Sequence, residues 1–118
     1  MNKKFDLDER TEKFGEDTIE FAKDIPKNPI TLPLIQQLFK AATSVGANFS
    51  EADCAESKKD FEHKISICKK ESKESQHWFR MIAKATPELK DNAKIIWKEA
   101  HELNLIFSSI IINSRKKK

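Results

Sequence analysis

The sequence is poor in the residues that build disulfide scaffolds, tight turns and membrane spans. Its 118 residues include two cysteines, two glycines and no tyrosine. Two cysteines are too few for a disulfide framework, so Cys54 and Cys68 are interpreted as reduced structural residues. The longest apolar stretch, from Leu105 to Ile112, contains two serines and is far shorter than the roughly 20 residues of a transmembrane helix.

The first ten residues, MNKKFDLDER, have a basic start with no apolar segment behind it. This pattern is typical of neither a secretory signal peptide nor a membrane anchor. We therefore expect a cytoplasmic protein that has no membrane partner.

What the chain does have is an apolar or small residue at every third or fourth position along most of its length. This spacing places those residues on one face of an α-helix and indicates helices that pack against one another. The three clearest seams are Ile35, Leu38, Ala42, Val45, Phe49 and Ala52; Phe61, Ile65, Cys68, Ser72, Ser75, Phe79 and Ile82; and Leu89, Ala93, Ile96, Ala100, Leu103, Phe107 and Ile110. With a further apolar face around Phe14 and Phe21, they predict an all-α fold: a single-domain, antiparallel up-down four-helix bundle.

Proline and capping residues set the predicted limits of the helices. Pro26 stops the first helix, and Pro33 suits the first turn of the second. Ser57 begins a capping-box-like start of the third helix, and Pro87 suits the start of the fourth. The predicted helices span about 8–25, 33–54, 58–85 and 88–114, and a basic tail follows at 115–118.

Helix three has basic side chains along the ridge opposite its apolar seam, although the formal net charge of the chain is only +3. We call this row the basic ridge, and no acidic residue interrupts it. It consists of Lys59, His63, Ser66, Lys70, Lys73, His77, Arg80 and Lys84. At about 1.5 Å per residue it is about 37 Å long, which is enough to face several phosphates. The residues predicted to bind RNA or DNA are Lys59, Lys70, Lys73, Arg80 and Lys84.

Two other interpretations of the basic ridge remain open. It is also typical of an ordinary solvated helix face. Alternatively, it binds an acidic protein surface, including the acid-rich helix one of another subunit, which would make the chain a protein-interaction scaffold with no nucleic-acid role.

Helix four becomes apolar on all sides in its second half. A four-helix bundle buries one face of each helix, so the excess apolar surface predicts self-association. The predicted oligomer interface contains Leu105, Ile106, Ile111 and Ile112. The alternative is that the N-terminal segment, through Phe5 and Leu7, covers this surface.

Ser44, Asn48 and Glu51 lie at i, i+4 and i+7 beside the seam of helix two. They are predicted to form a structural polar cluster that fixes the register of the helices, with Lys64 or Arg10 as partners. A ligand pocket at these residues is the alternative.

Enzymatic and metal sites have weak support in the sequence. Glu74 and His77 have the E-x-x-H spacing of di-iron bundle proteins, but no second such pair exists and His77 is predicted to face outward. No loop of the type that presents a catalytic nucleophile is apparent. We therefore expect no catalytic residue, no metal and no cofactor.

Several segments resemble a known bacterial family. They are FDLDER from Phe5, AATSVGANFSEAD from Ala41 and SKKDFEHKISICKKESKES from Ser57, followed by Trp78 and Phe79. These segments are similar to the four-helix-bundle proteins named after members encoded in intervening sequences of 23S rRNA genes. The shared pattern falls on Ser44, Val45, Asn48, Glu51, Ala52, Ser57, Asp60, Phe61, Lys70, Glu71, Glu74 and Trp78.

The resemblance implies an up-down four-helix bundle that assembles as a ring, commonly a pentamer, and has no established catalytic activity. Accessory proteins of diversity-generating retroelements form a related group. That relation implies binding of nucleic acid and of a protein partner, a reverse transcriptase, through basic surface.

Overall fold

A computed structural model describes residues 3–117 of the chain, and describes side chains from Leu7 onward. It contains four long helices, and the described residues form no strand. The helices are α1 (Lys3–Lys23), α2 (Thr31–Asp53), α3 (Lys58–Ala85) and α4 (Lys90–Lys116). A short 3-10 turn, Pro87–Leu89, precedes α4. The prediction of an all-α fold is confirmed.

The helices form an antiparallel bundle in which each helix packs against its neighbours in sequence and α1 closes the ring against α4. α1 and α3 therefore lie diagonally opposite each other. They meet in the core, where the ring of Phe79 is 6.3 Å from that of Phe14 and 5.6 Å from that of Phe21. The principal dimensions are 50 × 26 × 19 Å.

Local capping explains where the helices begin. The Ser57 side chain accepts a hydrogen bond of 3.0 Å from the Asp60 backbone amide, as the capping signal predicted. α2 begins at Thr31, before the predicted Pro33, because the Asn28 side-chain oxygen accepts bonds of 2.9 Å from the amides of Ile30 and Thr31. The Thr31 hydroxyl in turn donates to the Pro26 carbonyl at 2.6 Å.

The outer limits of α1 and α4 also differ from the predicted ones. α1 begins at Lys3, upstream of residue 8, and α4 continues to Lys116, into the segment predicted as a tail. α4 begins at Lys90 because the residues after Thr86 form the 3-10 turn first.

Most of the predicted seam residues are buried in the core, and Cys68 is among the fully buried ones. Four predicted seam residues are only partly buried against the core: Phe61, Leu89, Ile96 and Ile110. Its thiol donates to the Val45 carbonyl at 3.5 Å, and burial raises the pKa of the thiol to about 12. Cys68 therefore stays protonated and packs as a small apolar residue, whereas Cys54 is exposed.

Candidate nucleic-acid interface

The basic ridge lies on the outer surface of α3. All of its side chains are exposed except Ser66, which is half-buried. Because α2 and α4 pack on either side of α3 and α1 lies diagonally behind it, no other helix covers the ridge. Within the described part of the chain, none of its five lysines and arginines forms an ion pair with a carboxylate. The ridge therefore presents exposed basic side chains to solvent.

The acidic residues of α3 lie beside the ridge and have other environments. The Glu62 carboxylate accepts a hydrogen bond of 2.6 Å from the Ser114 hydroxyl of α4. Burial, and then the neighbouring carboxylate of Glu74, raise the pKa of Glu71. The nearby ammonium groups of Lys70 and Lys40 act in the opposite direction and lower the pKa of Glu71.

A cleft runs between α3 and α4 along one side of the basic ridge. We call it the α3–α4 cleft; its volume is about 570 Å³. It is lined by Ser66, Lys69, Lys70, Lys73, Glu74, Asn104, Ile111 and Arg115. The Asn104 side chain donates to the Lys69 carbonyl at 2.8 Å and so joins the two helices at this point. The cleft is thus lined by four cations, Lys69, Lys70, Lys73 and Arg115, and by one carboxylate, that of Glu74.

Lys69 and Asn104 were not predicted as site residues from the sequence. Lys69 lies one position off the basic ridge, and its role depends on which residues of α4 are opposite it. Which residues of α4 lie opposite Lys69 depends on the rotational register of the two packed helices, and the heptad spacing within one helix does not reveal this register.

Aromatic rings lie on α4 farther along the bundle. The ring of Trp97 stacks on that of His101 with the centroids 5.6 Å apart and the planes 12° from parallel. Trp97 is half-buried against the core, and His101 is exposed. The indole thus stacks against one face of an exposed imidazole ring.

The predicted polar cluster is divided in the structure. The Ser44 hydroxyl donates to the Lys40 carbonyl at 2.5 Å and the Asn48 amide to the Ser44 carbonyl at 2.9 Å, so both bond within α2. Glu51 forms an ion pair of 2.6 Å with Lys64 of α3, and this hydrogen bond raises the pKa of Lys64. Only the Glu51 pair connects two helices.

Arg10, the other suggested partner of the polar cluster, binds α4 instead. Its guanidinium contacts both carboxylate oxygens of Glu99, at 3.0 and 2.7 Å, and lies 3.6 Å from the Glu102 carboxylate. The hydrogen bond to Glu99 raises the pKa of Arg10. This bidentate pair fixes α1 against α4.

The predicted oligomer interface requires one correction. Leu105 and Ile112 are 55% and 54% exposed, and Ile106 is half-buried. Ile111, however, is 7% exposed and belongs to the core, so its assignment to an outer surface is wrong. The reason is that α4 has 3.6 residues per turn, so the buried stripe drifts from the heptad frame and passes from Phe107 to Ile111.

Leu105 borders a groove of about 1230 Å³ that opens between α1 and α4 and extends to the turn between α2 and α3. Its apolar lining includes Leu7, Phe49, Phe61, Leu105, Ile106 and Ile110. Leu7 is buried, in line with the alternative that the N-terminal segment packs here. The side chain of Phe5, the other residue of that alternative, lies outside the described part. Leu105 and Ile112 remain exposed nonetheless.

Among the described residues there is neither a metal-binding cluster nor a membrane-spanning helix. Among residues 3–117, no group of three or more histidine, cysteine, aspartate or glutamate side chains is placed to hold a metal ion. His77 is exposed and packs edge-on against Trp78, at 4.7 Å between ring centroids. No helix in this part of the chain is long and apolar enough to cross a membrane.

The chain is similar to known proteins in both sequence and fold. No curated protein matches the chain. It is similar to a protein with unknown function from the S23 ribosomal protein family of Bacteroides thetaiotaomicron VPI-5482, whose crystal structure was solved at 1.70 Å. The identity is 24%, the TM-score is 0.84, and the match covers 93% of this chain and 98% of that one, which establishes the shared fold. The family described as 23S rRNA-intervening sequence protein matches residues 3–109, and the chain therefore belongs to that family.

Proposed function

We propose that this chain is a cytoplasmic, non-enzymatic, homo-oligomeric bundle that binds RNA or DNA through the basic ridge. The observation that supports this most directly is the state of the ridge cations. Lys59, Lys70, Lys73, Arg80 and Lys84 are all exposed, and none is in an ion pair with a described carboxylate. A row of exposed cations about 37 Å long matches a phosphate backbone better than it matches a compact ligand.

The expected contacts are to phosphates, so binding is tolerant of sequence and sensitive to salt. Each phosphate that the protein neutralises contributes about −0.9 to the slope of log affinity against log salt for a duplex. Five contacts from one chain give a slope of about −4.5, and affinity falls roughly 500-fold between about 50 and 200 mM salt.

Self-association strengthens this proposal because it repeats the ridge. The exposed Leu105 and Ile112 and the groove between α1 and α4 provide apolar surface for contact between copies. A closed ring, for which a pentamer is the form that the family resemblance implies, presents several ridges at once. Linked weak sites gain affinity by avidity.

The test is light scattering on a sizing column, with and without a mixed pool of RNA and duplex DNA, at about 50 and 300 mM salt. The expected result is a defined oligomer that binds nucleic acid at the lower concentration and releases it at the higher one. An oligomer that ignores nucleic acid at both concentrations contradicts nucleic-acid binding, and a monomer contradicts self-association.

A protein-interaction scaffold is the second candidate, and the outer face of α1 favours it. Glu9, Glu12 and Glu16 are exposed there and form no ion pair with a described residue. The ridge of one copy would then meet α1 of another. Under this alternative, Lys73→Glu disrupts assembly and the combination with Glu12→Lys and Glu16→Lys restores it. Under nucleic-acid binding, no restoration occurs.

A further inference from the structure

The α3–α4 cleft differs from the basic ridge in having polar side chains on two walls. Lys69, Lys70 and Lys73 line it from α3, and Asn104 and Arg115 line it from α4. Within the described residues, none of these four cations is in an ion pair. An anion inside the cleft is therefore approached from both helices, whereas an anion on the ridge is approached from α3 alone.

The width of the cleft limits what can enter it. The axes of packed helices are about 8–10 Å apart, so the furrow between them is only a few ångströms across. A DNA duplex is wider than its own major groove, which is about 12 Å across, so it contacts the rims of such a furrow and does not enter it. A single flexible strand can place its phosphates inside.

One side of α4 leads from the cleft to a stacked pair of rings. Trp97, His101, Asn104, Ser108, Ile111 and Arg115 follow one another at alternating spacings of four and three residues, so they lie on one side of the helix. Asn104, Ile111 and Arg115 line the cleft, which places the stacked pair of Trp97 and His101 in the same row, one turn beyond Asn104. Stacking of bases on exposed rings is a common means of holding single strands.

We propose that the α3–α4 cleft binds single-stranded nucleic acid, with phosphates on Lys69, Lys73 and Arg115 and a base stacked on His101. This inference rests on the proposed function and refines it: the ridge faces a duplex or the outer part of a strand, and the cleft selects the single strand. The shared chemistry is a phosphodiester backbone with unpaired bases, whether the sugar is ribose or deoxyribose.

Two double variants that remove the same amount of charge test the proposal. Lys69→Ala with Arg115→Ala changes the cleft alone, and Lys59→Ala with Lys84→Ala changes the ends of the ridge alone. Salt slopes are measured by fluorescence anisotropy for oligo-uridine, oligo-thymidine and a mixed-sequence DNA duplex, all of about 16 nucleotides or base pairs, within the range that single-strand-binding domains cover.

The cleft pair is expected to reduce the single-strand slope by about 1.4, at about 0.7 per lost contact, and to leave the duplex slope unchanged. The ridge-end pair is expected to reduce the duplex slope by about 1.8. His101→Ala should weaken single-strand binding by about fivefold or more, while the matched His63→Ala on the ridge should not. The oligo-uridine and oligo-thymidine arms compare an RNA strand with a DNA strand.

The two proposals fail in distinguishable ways. If the wild-type chain binds a duplex with a slope that depends on the ridge, but the cleft pair leaves the single-strand slope unchanged, the cleft is not the single-strand site and the proposed function stands. If the wild-type chain binds no nucleic acid at about 50 mM salt, the proposed function itself is wrong.

Discussion

Replacing Lys59, Arg80 and Lys84 with alanine is expected to flatten the salt dependence of duplex binding. The three side chains are exposed and belong to no ion pair with a described residue, so their removal costs the fold little. Of five phosphate contacts two remain, and the slope of log affinity against log salt changes from about −4.5 to about −1.8. Affinity then falls only about 12-fold between about 50 and 200 mM salt, instead of roughly 500-fold.

The control for this variant removes the same charge from the far side of the bundle. Lys13, Lys23 and Lys27 lie on α1 and just beyond it, diagonally across from α3. Their replacement by alanine also lowers the formal net charge from +3 to zero. The ion pairs of Lys13 with Asp17 and of Lys23 with Glu20 are exposed and contribute little stability. Lys27 donates to the Ala22 and Lys23 carbonyls, and Lys13 lines the groove between α1 and α4, so the control must also keep the wild-type melting temperature and oligomeric state.

The assay is titration of a fluorescent duplex at four or more salt concentrations, with the slope as the readout. The ridge variant should lose more than half of the slope, and the control should keep the wild-type value. Equal losses in the two variants would show that net charge governs binding and that the ridge has no special role, which would refute the reasoning.

Four further predictions concern the fold and its two cysteines. Phe79 is 1% exposed and contacts the rings of Phe14 and Phe21, so Phe79→Ala should lower the free energy of unfolding by about 3–5 kcal/mol in urea titrations. A change below about 1 kcal/mol would show that the core repacks around the cavity. A double-mutant cycle of Arg10→Ala and Glu99→Ala should give a coupling energy of about 1 kcal/mol, because the pair is bidentate but about one-third exposed. A coupling near zero would show that α1 is held by apolar packing alone. Cys54 should react quickly with a thiol reagent in the native protein and Cys68 only on unfolding, since one is exposed and the other buried. Burial raises the pKa of Cys68 to about 12, above the unfolded thiol value of about 8.5. The stability that this difference contributes is complete below about pH 8.5 and is lost as the pH rises toward 12. Cys68→Ala should abolish this pH dependence of the free energy of unfolding.

The sequence predicted best those features that depend on neighbouring residues in the chain. The seam of α2 from Ile35 to Ala52 is buried at every predicted position, because helical periodicity alone selects that face. The Ser57 cap is equally local. Ser44 and Asn48 show the opposite error: they were expected to need partners across the bundle, yet each bonds to a carbonyl four residues earlier in α2, which is always within reach.

The features that escaped prediction depend on how two helices are rotated against each other. Lys69, Asn104 and Arg115 become neighbours only because α3 and α4 pack with one particular register. The start of α2 depends on an Asn28 side chain in the preceding loop, which no periodicity reports. The error at Ile111 has a separate origin, since the small difference between 3.5 and 3.6 residues per turn accumulates along α4 itself.

Self-association and nucleic-acid binding are compatible in this geometry only if the copies meet on the correct side. The lining of the groove between α1 and α4 includes Phe61 of α3 but none of the residues of the basic ridge. Copies that meet through this groove leave every basic ridge exposed and multiply it. Copies that meet ridge to α1 cover the same lysines with carboxylates. The two arrangements therefore predict different effects of Lys73→Glu. If the copies meet through the groove, the substitution weakens nucleic-acid binding and leaves the oligomer intact. If the ridge of one copy meets α1 of another, the substitution dissociates the oligomer. The oligomeric state of Lys73→Glu thus decides which surface the assembly uses, independently of any measurement on nucleic acid.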